Sequence, residues 1–246
     1  MLGVAEACVT ADMAVDDADV SACLVSCGSN CSHARLVNAT SMPQAIRLQN
    51  WLEYQLPIVS GRLERASNAS RRSGVPSTVF FGDSIFAMAA DKDAFLLCAR
   101  RPEPCANAGV GFDTWRLAWA RAWQVCAVDP GLLFVLLGTN DLLRRAAADV
   151  VASRAAKVLR YLRRCTTSAI VLVALPPHDA RRHAFDERAV NRLYRTVAAA
   201  EGVGFCDVHE ALVDDARLYL RQDGLHLSPA GYEKLNGELD ECIKGE

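Results

Sequence analysis

Three short, continuously apolar runs of sequence restrict this chain to few folds. They cover residues 79–81, 132–137 and 169–175. A short apolar run without alternation is typical of a strand that is covered on both faces. Segments with helical periodicity separate the runs, which is the pattern of a parallel sheet with helices on both faces. The sequence therefore predicts an α/β fold with three layers.

Shorter strands near residues 105–107 and 204–208 bring the predicted sheet to about five strands. Ser228, followed by Pro229, suits the start of a closing helix. A helix is predicted to begin at Asp113 or Thr114. Its tryptophans recur every four residues, at Trp115, Trp119 and Trp123, which favours a stripe that faces the core. Helices are predicted at 85–100, from 113 or 114 onward, and at 146–164, 186–201 and 209–220.

The first 40 residues have no clear periodicity and are interpreted as an N-terminal extension, so the main domain is predicted at 41–246. An apolar stripe predicts a flanking helix at 43–65, and the polar stretch 67–77 is interpreted as a linker into the first strand. Three cysteines at four-residue spacing precede His33, but zinc ligands usually come as close pairs, so no metal is predicted there. These cysteines are Cys23, Cys27 and Cys31.

Charge and composition exclude several classes of function. The formal net charge is −2 and no basic stripe is interleaved with aromatic residues, so nucleic acid is not an expected partner. No apolar run reaches the ~18 residues of a membrane span, and the N-terminus lacks the basic region of a secretory signal. The ten cysteines are scattered and a chain of this size needs no disulfide scaffold. We therefore expect unpaired cysteines and a cytoplasmic location.

Polar residues with catalytic chemistry follow several of the predicted strands. Ser84 follows the first strand, Asn140 follows the strand at 132–137, and Asp223 and His226 come after the last strand. Because the carboxyl ends of parallel strands share one edge of the sheet, these residues are expected to meet there. Ester hydrolysis needs a nucleophile, a base, a group that orients the base, and donors to the oxyanion, and this set supplies each of them.

Each of these residues also has a structural interpretation when it is taken alone. Asn140 could cap the helix that follows it, Asp223 could belong to a plain turn, and His226 could lie on the surface. Asp83 is expected to brace the turn before Ser84 through backbone hydrogen bonds. The remaining histidines in this half of the chain are interpreted as structural or exposed. They are His178, His183 and His209.

Four sequence blocks, in this order, resemble those of the SGNH hydrolase superfamily, also called GDSL-type lipases and esterases. The blocks are Gly-Asp-Ser at 82–84, Asn-Ala-Gly-Val-Gly at 107–111, Gly-Thr-Asn-Asp at 138–141 and Asp-Gly-Leu-His at 223–226. The resemblance covers about residues 77–240. It implies a flavodoxin-like three-layer fold and neither a metal nor an organic cofactor.

The resemblance also implies roles for individual residues. Ser84 would be the nucleophile, with Asp223 and His226 completing the triad. The oxyanion hole would come from the Ser84 backbone, Gly111 and Asn140. Many relatives have a glycine where this chain has Phe112, so either Gly111 or Phe112 would supply the second backbone donor. A non-glycine residue at that position would be strained if its φ is positive.

The predicted function is therefore that of a serine esterase that acts through an acyl-enzyme. Short connections between the blocks favour short acyl or acetyl esters of a carbohydrate or small alcohol. A lysophospholipase or thioesterase acting on a lysolipid or other lipid ester is the alternative. Phe112 and Trp115 would then line an acyl pocket, although the pair could equally belong to the core. Acyl transfer to another acceptor, and a catalytically silent binding domain, are further alternatives.

Overall fold

The computed structural model describes residues 55–89, 97–99, 101–215 and 219–244. The chain divides into two compact units, Met1–Ile58 and Val59–Glu246, and the described residues belong almost entirely to the second. The predicted N-terminal extension, the first half of the predicted flanking helix and the Cys23, Cys27 and Cys31 group lie outside the described residues. Among the residues that are described, no helix is both long enough and apolar enough to cross a membrane.

Helices and strands alternate along the described chain. The strands are β1 (Thr78–Gly82), β2 (Cys105–Gly109), β3 (Leu132–Leu136), β4 (Ala169–Val173) and β5 (Gly204–Cys206). The helices are α1 (Leu56–Ser73), α2 (Ser84–Met88), α3 (Trp115–Val128), α4 (Thr139–Leu143), α5 (Ala148–Cys165), α6 (Glu187–Glu201), α7 (Val208–Val213) and α8 (Pro229–Cys242).

All five strands are parallel and lie in the order β2-β1-β3-β4-β5. The interior strand β1 is buried along its whole length, and the central strand β3 is buried from its second residue onward. This burial on both faces explains why the two strands are apolar without alternation. The predicted α/β fold, with a parallel sheet of about five strands, is confirmed.

The strand order places the helices in two layers. The chain moves outward from β1 to β2 and then returns past β1 to β3, β4 and β5. Right-handed crossovers therefore put α2 on one face and α3, α5 and α6 on the other. In agreement, α5 packs against both α3 and α6, while α8 packs against α7 and β5.

The polar stretch at 67–77 is not the predicted linker, because α1 continues to Ser73. Val59, Leu63 and Ala66 form the buried stripe of α1. Most of the polar residues between Ala66 and the end of the helix are partly or fully exposed. Two arginines in the last turn suit the negative end of the helix dipole. Gly74, with φ of 71°, then ends the helix.

The helix predicted at 85–100 is wrong in length, since α2 ends at Met88 and residues 97–99 form a turn. The carbonyl of Phe86 accepts a 2.6 Å hydrogen bond from the side chain of Asn107 on β2. This bond ties the short helix to the neighbouring strand. The helix predicted at 209–220 is also shorter, because α7 ends at Val213.

The tryptophan stripe is only partly a core stripe. Trp115 is fully buried, but Trp123 is 47% exposed. Residues four apart on a helix are displaced by about 40° around its axis, so two such steps turn Trp123 out of the core.

Six cysteines of the described chain form three disulfides, which contradicts the expectation of unpaired cysteines. Cys98 pairs with Cys105, Cys126 with Cys165, and Cys206 with Cys242. Two of these pairs join residues 39 and 36 positions apart, at the ends of α3 and α5 and between β5 and α8. Only the packing of these elements brings the sulfur atoms together, so sequence spacing did not reveal the pairs.

Candidate active site

Ser84 lies at the carboxyl end of β1, where this strand leads into α2. Asp83 precedes it and caps the helix, because its Oδ1 accepts a 2.9 Å hydrogen bond from the backbone N–H of Ile85. Asn107 supports the same turn from β2, since its side chain contacts both the carbonyl of Phe86 and the N–H of Gly109. These contacts present the hydroxyl of Ser84 at the sheet edge, half-exposed.

Asp83 is completely buried beside Ser84. Desolvation raises the pKa of its carboxyl group to about 8, in spite of the hydrogen bond from Ile85 and the positive charge of Arg121. The nearby carboxylates of Asp113 and Asp141 add to this increase in pKa. Asp83 is therefore a neutral acid at pH 7 that braces the turn.

Ser84, His226 and Asp223 form one line of hydrogen bonds although Ser84 and His226 are 142 residues apart in sequence. The Oγ of Ser84 lies 2.9 Å from Nε2 of His226. The opposite ring nitrogen, Nδ1, lies 2.7 Å from Oδ2 of Asp223. A nucleophile, a base and a carboxylate joined in this order can transfer the hydroxyl proton to the imidazole while the imidazole stays oriented.

The loop before α8 orients Asp223 and His226 together. Oδ1 of Asp223 accepts 2.9 Å hydrogen bonds from the backbone N–H groups of Leu225 and His226. Burial opposes the ionised form of Asp223, but the bonds from the His226 side chain and these N–H groups outweigh it and lower the pKa. Asp223 is therefore a carboxylate at neutral pH and can accept a hydrogen bond from Nδ1 of His226.

Asn140 lies in the first turn of α4, directly beyond the carboxyl end of β3. Its Nδ2 donates a 2.9 Å hydrogen bond to the carbonyl of Asp113, and a side-chain amide carries a second N–H that this bond does not use. The contact fixes the amide orientation and links the third sequence block to the second.

The loop after β2 has its left-handed backbone at Phe112, with φ of 64°. Gly111 is not among the residues with positive φ. The strain expected for a non-glycine residue is therefore present, at the position where many relatives have glycine. The side chain of Phe112 is 45% exposed.

Arg121 of α3 ties together the ends of the two strands beside the site. Its guanidinium donates 2.9 Å hydrogen bonds to the carbonyls of Gly82 and Ala108, and pairs with Asp113 at 2.6 Å. Both side chains of the ion pair are buried. The sequence does not reveal this role of Arg121, because nothing in its neighbourhood separates it from the surface arginines of the chain.

His183 is a second residue that sequence analysis did not place near the site. Its Nε2 lies 2.9 Å from the carbonyl oxygen of Asp223, so it supports the loop that carries the acid. The carbonyl of His183 in turn lies 2.8 Å from Nε2 of His178, and Glu187 lies 2.7 Å from Nδ1 of the same ring. The contact between His183 and Asp223 joins residues 40 positions apart and has no signal in sequence.

Trp115 does not line a pocket at the site. It is fully buried, its backbone N–H donates to Asp141, and its indole N–H donates a 2.6 Å hydrogen bond to the hydroxyl of Tyr194. Trp115 is therefore a core residue and is not among the proposed substrate contacts.

Comparison with known proteins decides the family. The model of the GDSL-like lipase/acylhydrolase family matches residues 80–234, which is more than half of the chain. The chain belongs to this family. It is accordingly a hydrolase of ester bonds, and the predicted membership of the SGNH superfamily is confirmed. No curated protein matches the sequence significantly.

This chain has the same fold as several solved structures of GDSL hydrolases. A lipase/acylhydrolase from Enterococcus faecalis is 22% identical, with a TM-score of 0.61 over 69% of this chain and 96% of that one. A putative GDSL-like lipase from Parabacteroides merdae is 16% identical, with a TM-score of 0.60 over 70% and 96%. An acetylxylan esterase from Geobacillus stearothermophilus is 20% identical, with a TM-score of 0.56 over 68% and 94%.

Proposed function

We propose that this hydrolase cleaves carboxylic esters through an acyl-enzyme intermediate formed on Ser84. The observation that carries the proposal is the continuous line of hydrogen bonds from Ser84 through His226 to Asp223. His226 takes the proton of the hydroxyl as Ser84 attacks the ester carbonyl, and then gives it to the leaving alcohol. Water repeats the sequence on the acyl-enzyme, with His226 again as base.

Three groups stabilise the negative oxygen of the tetrahedral intermediate in this proposal. They are the backbone N–H of Ser84, the free N–H of the Asn140 amide, and an N–H of the loop that contains Gly111 and Phe112. The contact of Asn140 with Asp113 supports this role, because a donor that is already oriented needs no rearrangement during the reaction.

The substrate class that we propose is an ester of a short acyl group, such as acetyl, with a polar alcohol or sugar. The cleft next to Asp223 supports this choice, because charged and polar side chains dominate its lining. Such a lining suits a hydroxylated alcohol better than a long hydrocarbon chain. The acetylxylan esterase among the similar structures makes an acetylated sugar a sensible first candidate.

Hydrolysis of a 4-nitrophenyl ester series from acetyl to palmitoyl tests the proposal. We expect kcat/KM to fall as the acyl chain lengthens, and Ser84→Ala to abolish turnover. Asn140→Ala should reduce kcat by about 100- to 1000-fold, as loss of one oxyanion donor does in other hydrolases. A preference for long chains would indicate the lysophospholipase or thioesterase alternative instead.

Two further measurements separate the remaining alternatives. Covalent labelling by a fluorophosphonate that disappears in Ser84→Ala would exclude a silent binding domain, whereas an unlabelled wild-type protein would favour one. Product analysis with an added alcohol or sugar acceptor distinguishes hydrolysis from acyl transfer, because transfer yields a new ester in place of the free acid.

We also propose that the protein works in an oxidising compartment, in place of the cytoplasmic location that the sequence suggested. The three disulfides support this location, because cytosolic thiols are normally kept reduced. Peptide mapping of protein purified from its natural source, alkylated before reduction, tests it. Alkylation of Cys206 and Cys242 under these conditions would contradict the proposal.

A further inference from the structure

A cleft of about 540 Å³ adjoins the loop that carries the triad acid. One wall comes from the segment after β4, and the opposite wall comes from the segment just before His226. Its lining comprises His178, Asp179, Ala180, Arg181, Arg182, Leu220, Arg221, Gln222 and Gly224. Arg221, Gln222 and Gly224 flank Asp223 on both sides, so the cleft lies immediately beside the triad.

The charge of this cleft is positive. It contains the three guanidinium groups of Arg181, Arg182 and Arg221 against the single carboxylate of Asp179. Asp179 pairs with Arg181 at 2.8 Å and only loosely with Arg182, at 3.8 Å. The other nearby carboxylate, Asp223, is turned toward His226. The cleft therefore keeps an excess of positive charge that its own acidic groups do not neutralise.

The wall with the arginines is held firmly against the triad loop. The N–H of Asp179 donates a 2.8 Å hydrogen bond to the carbonyl of Gly224. Gly224 has φ of 70°, and a Cβ atom there would lie 2.7 Å from Cβ of Asp179 and 2.9 Å from Cδ of Arg182. Only glycine allows this approach, which brings the stem of Arg182 onto the backbone next to Asp223.

The chemistry of the triad decides which part of a substrate reaches this cleft. In the proposed reaction the imidazole of His226 must protonate the leaving alcohol, so the alcohol oxygen lies on the His226 side of Ser84. Asp223 lies at the opposite ring nitrogen, Nδ1, and the cleft adjoins the backbone on both sides of Asp223. A substituent on the alcohol that extends past the imidazole ring would reach the arginines.

We propose that this cleft is a subsite for an anionic group on the alcohol part of the ester, a carboxylate or a phosphate. Guanidinium groups bind both anions with two parallel hydrogen bonds. The Nε and Nη2 of Arg181 already donate to Asp179, so the exposed guanidinium of Arg182 is the main donor and Arg181 adds its charge. The preferred substrate is then a short-chain ester of an acidic sugar, hydroxy acid or phosphorylated alcohol. This inference rests on the proposed esterase function and names its substrate class.

Matched acetate esters test the subsite. The substrate 4-acetoxybenzoate carries a carboxylate on its alcohol part, 4-acetoxybenzamide is its neutral analogue of nearly equal shape, and 4-acetoxyphenyl phosphate tests the phosphate source. We expect kcat/KM to be at least about tenfold higher for the better anionic ester than for the amide, mainly through KM. The ratio should fall between about 10 mM and 500 mM NaCl, because exposed charges are screened.

The double variant Arg181→Gln/Arg182→Gln should bring this ratio close to one, because it lowers kcat/KM for the anionic ester far more than for the amide. Arg163→Gln/Arg164→Gln is the matched control, because it removes two exposed arginines from the last turn of α5. That end of α5 leads into the start of β4, opposite the carboxyl edge of the sheet. A wild-type ratio near one, or a ratio that survives the Arg181/Arg182 substitutions, would overturn the subsite.

Binding to the Ser84→Ala protein separates failure of the subsite from failure of the esterase function. Calorimetry should show tighter binding of 4-hydroxybenzoate or 4-hydroxyphenyl phosphate than of 4-hydroxybenzamide, and the Arg181/Arg182 substitutions should remove the difference. Equal binding of all three compounds would refute the subsite even if the esters are hydrolysed. Selective binding without turnover of any ester by the wild-type protein would support the subsite and refute the esterase proposal.

Discussion

At the scale of single residues, Phe112 has an unfavourable backbone conformation and Asp83 has an unfavourable environment for its carboxyl group. Phe112 has a left-handed backbone, which glycine adopts without cost. Asp83 is a carboxyl group with no exposed surface, next to two other acids. Both residues lie beside the proposed nucleophile or its oxyanion hole, and both give measurable effects on stability.

Substitution of Phe112 should reverse the usual order of alanine and glycine. In ordinary backbone conformations glycine is the less stable of the two by about 0.5–1 kcal/mol. A left-handed φ costs a residue with Cβ about 1–2 kcal/mol, so Phe112→Gly should be more stable than Phe112→Ala by up to about 1 kcal/mol. Urea denaturation of the two variants measures the difference, and a more stable alanine variant would contradict the strained backbone.

The same pair of variants bears on the proposed oxyanion hole. Both substitutions keep the backbone N–H at position 112, so both variants should retain hydrolysis of 4-nitrophenyl acetate within about tenfold, since a lost oxyanion donor would cost about 100-fold or more. A loss of that larger size in either variant would show that the phenyl ring itself is needed for catalysis.

Asp83 should make stability fall as pH rises. The unfolded chain releases the proton of this carboxyl near pH 3.8, whereas the folded protein keeps it until about pH 8. Protonated Asp83 thus contributes stability that is complete below pH 3.8 and is lost progressively up to pH 8. Asp83→Asn mimics the neutral acid, so its stability relative to wild type should increase with pH by up to about 1.4 kcal/mol per unit.

Denaturation midpoints of the wild-type and Asp83→Asn proteins at pH 5, 6, 7 and 8 test this linkage. Asp149→Asn is a suitable control, because Asp149 is exposed in the first turn of α5. A stability difference between Asp83→Asn and wild type that does not change with pH would show that Asp83 is ionised in the folded protein.

At the scale of secondary-structure elements, the site depends on contacts between the ends of strands and the helices that follow them. Arg121 of α3 holds the last residue of β1 and the penultimate residue of β2 by their carbonyl groups. Asn107 ties β2 to α2, and Asn140 of α4 holds the loop before α3. These bonds connect three of the four sequence blocks into one edge.

Arg121→Met should destabilise the protein by about 3–5 kcal/mol, because it leaves Asp113 as a buried charge without its ion-pair partner. The double variant Arg121→Met/Asp113→Leu removes both charges and should recover part of this loss. Urea denaturation measures both variants. A cost below about 1 kcal/mol for the single variant would mean that water or another group replaces the guanidinium.

At the scale of the whole molecule, disulfides join elements that are distant in sequence. Cys126–Cys165 fastens the end of α3 to the end of α5, and Cys206–Cys242 fastens β5 to α8. The second bond closes the segment that contains Asp223 and His226. It therefore stabilises the part of the chain that supplies two members of the proposed triad.

Removal of this second bond should lower the free energy of unfolding. Closing a loop of 36 residues is worth about 3–4 kcal/mol in chain entropy, so Cys206→Ala/Cys242→Ala should lose roughly that amount. Denaturation of the wild type with and without dithiothreitol provides the comparison. Equal stability of the variant and the oxidised wild type would show that the bond does not form in solution.

The sequence by itself determined the fold class and the strand-end residues of this protein. Burial on both faces makes β1, β3 and β4 apolar without alternation, so local composition predicts the parallel sheet. Parallel strands end at one edge, so the residues after them, Ser84 and Asn140, could be expected to share a site. The prediction that Ser228 caps the closing helix is confirmed, and α3 begins directly after Thr114, one of its two predicted starts, because helix capping is a local interaction.

Only the tertiary structure decided the disulfide partners, the buried contacts of Arg121 and the support that His183 gives to Asp223. Each of these features depends on which elements pack side by side. The residue periodicity of one element does not show which other elements pack against it. The charged cleft beside Asp223 also depends on long-range packing, because its two walls come from segments about 40 residues apart. Local patterns specify an element and its buried face, whereas long-range packing decides which side chains meet.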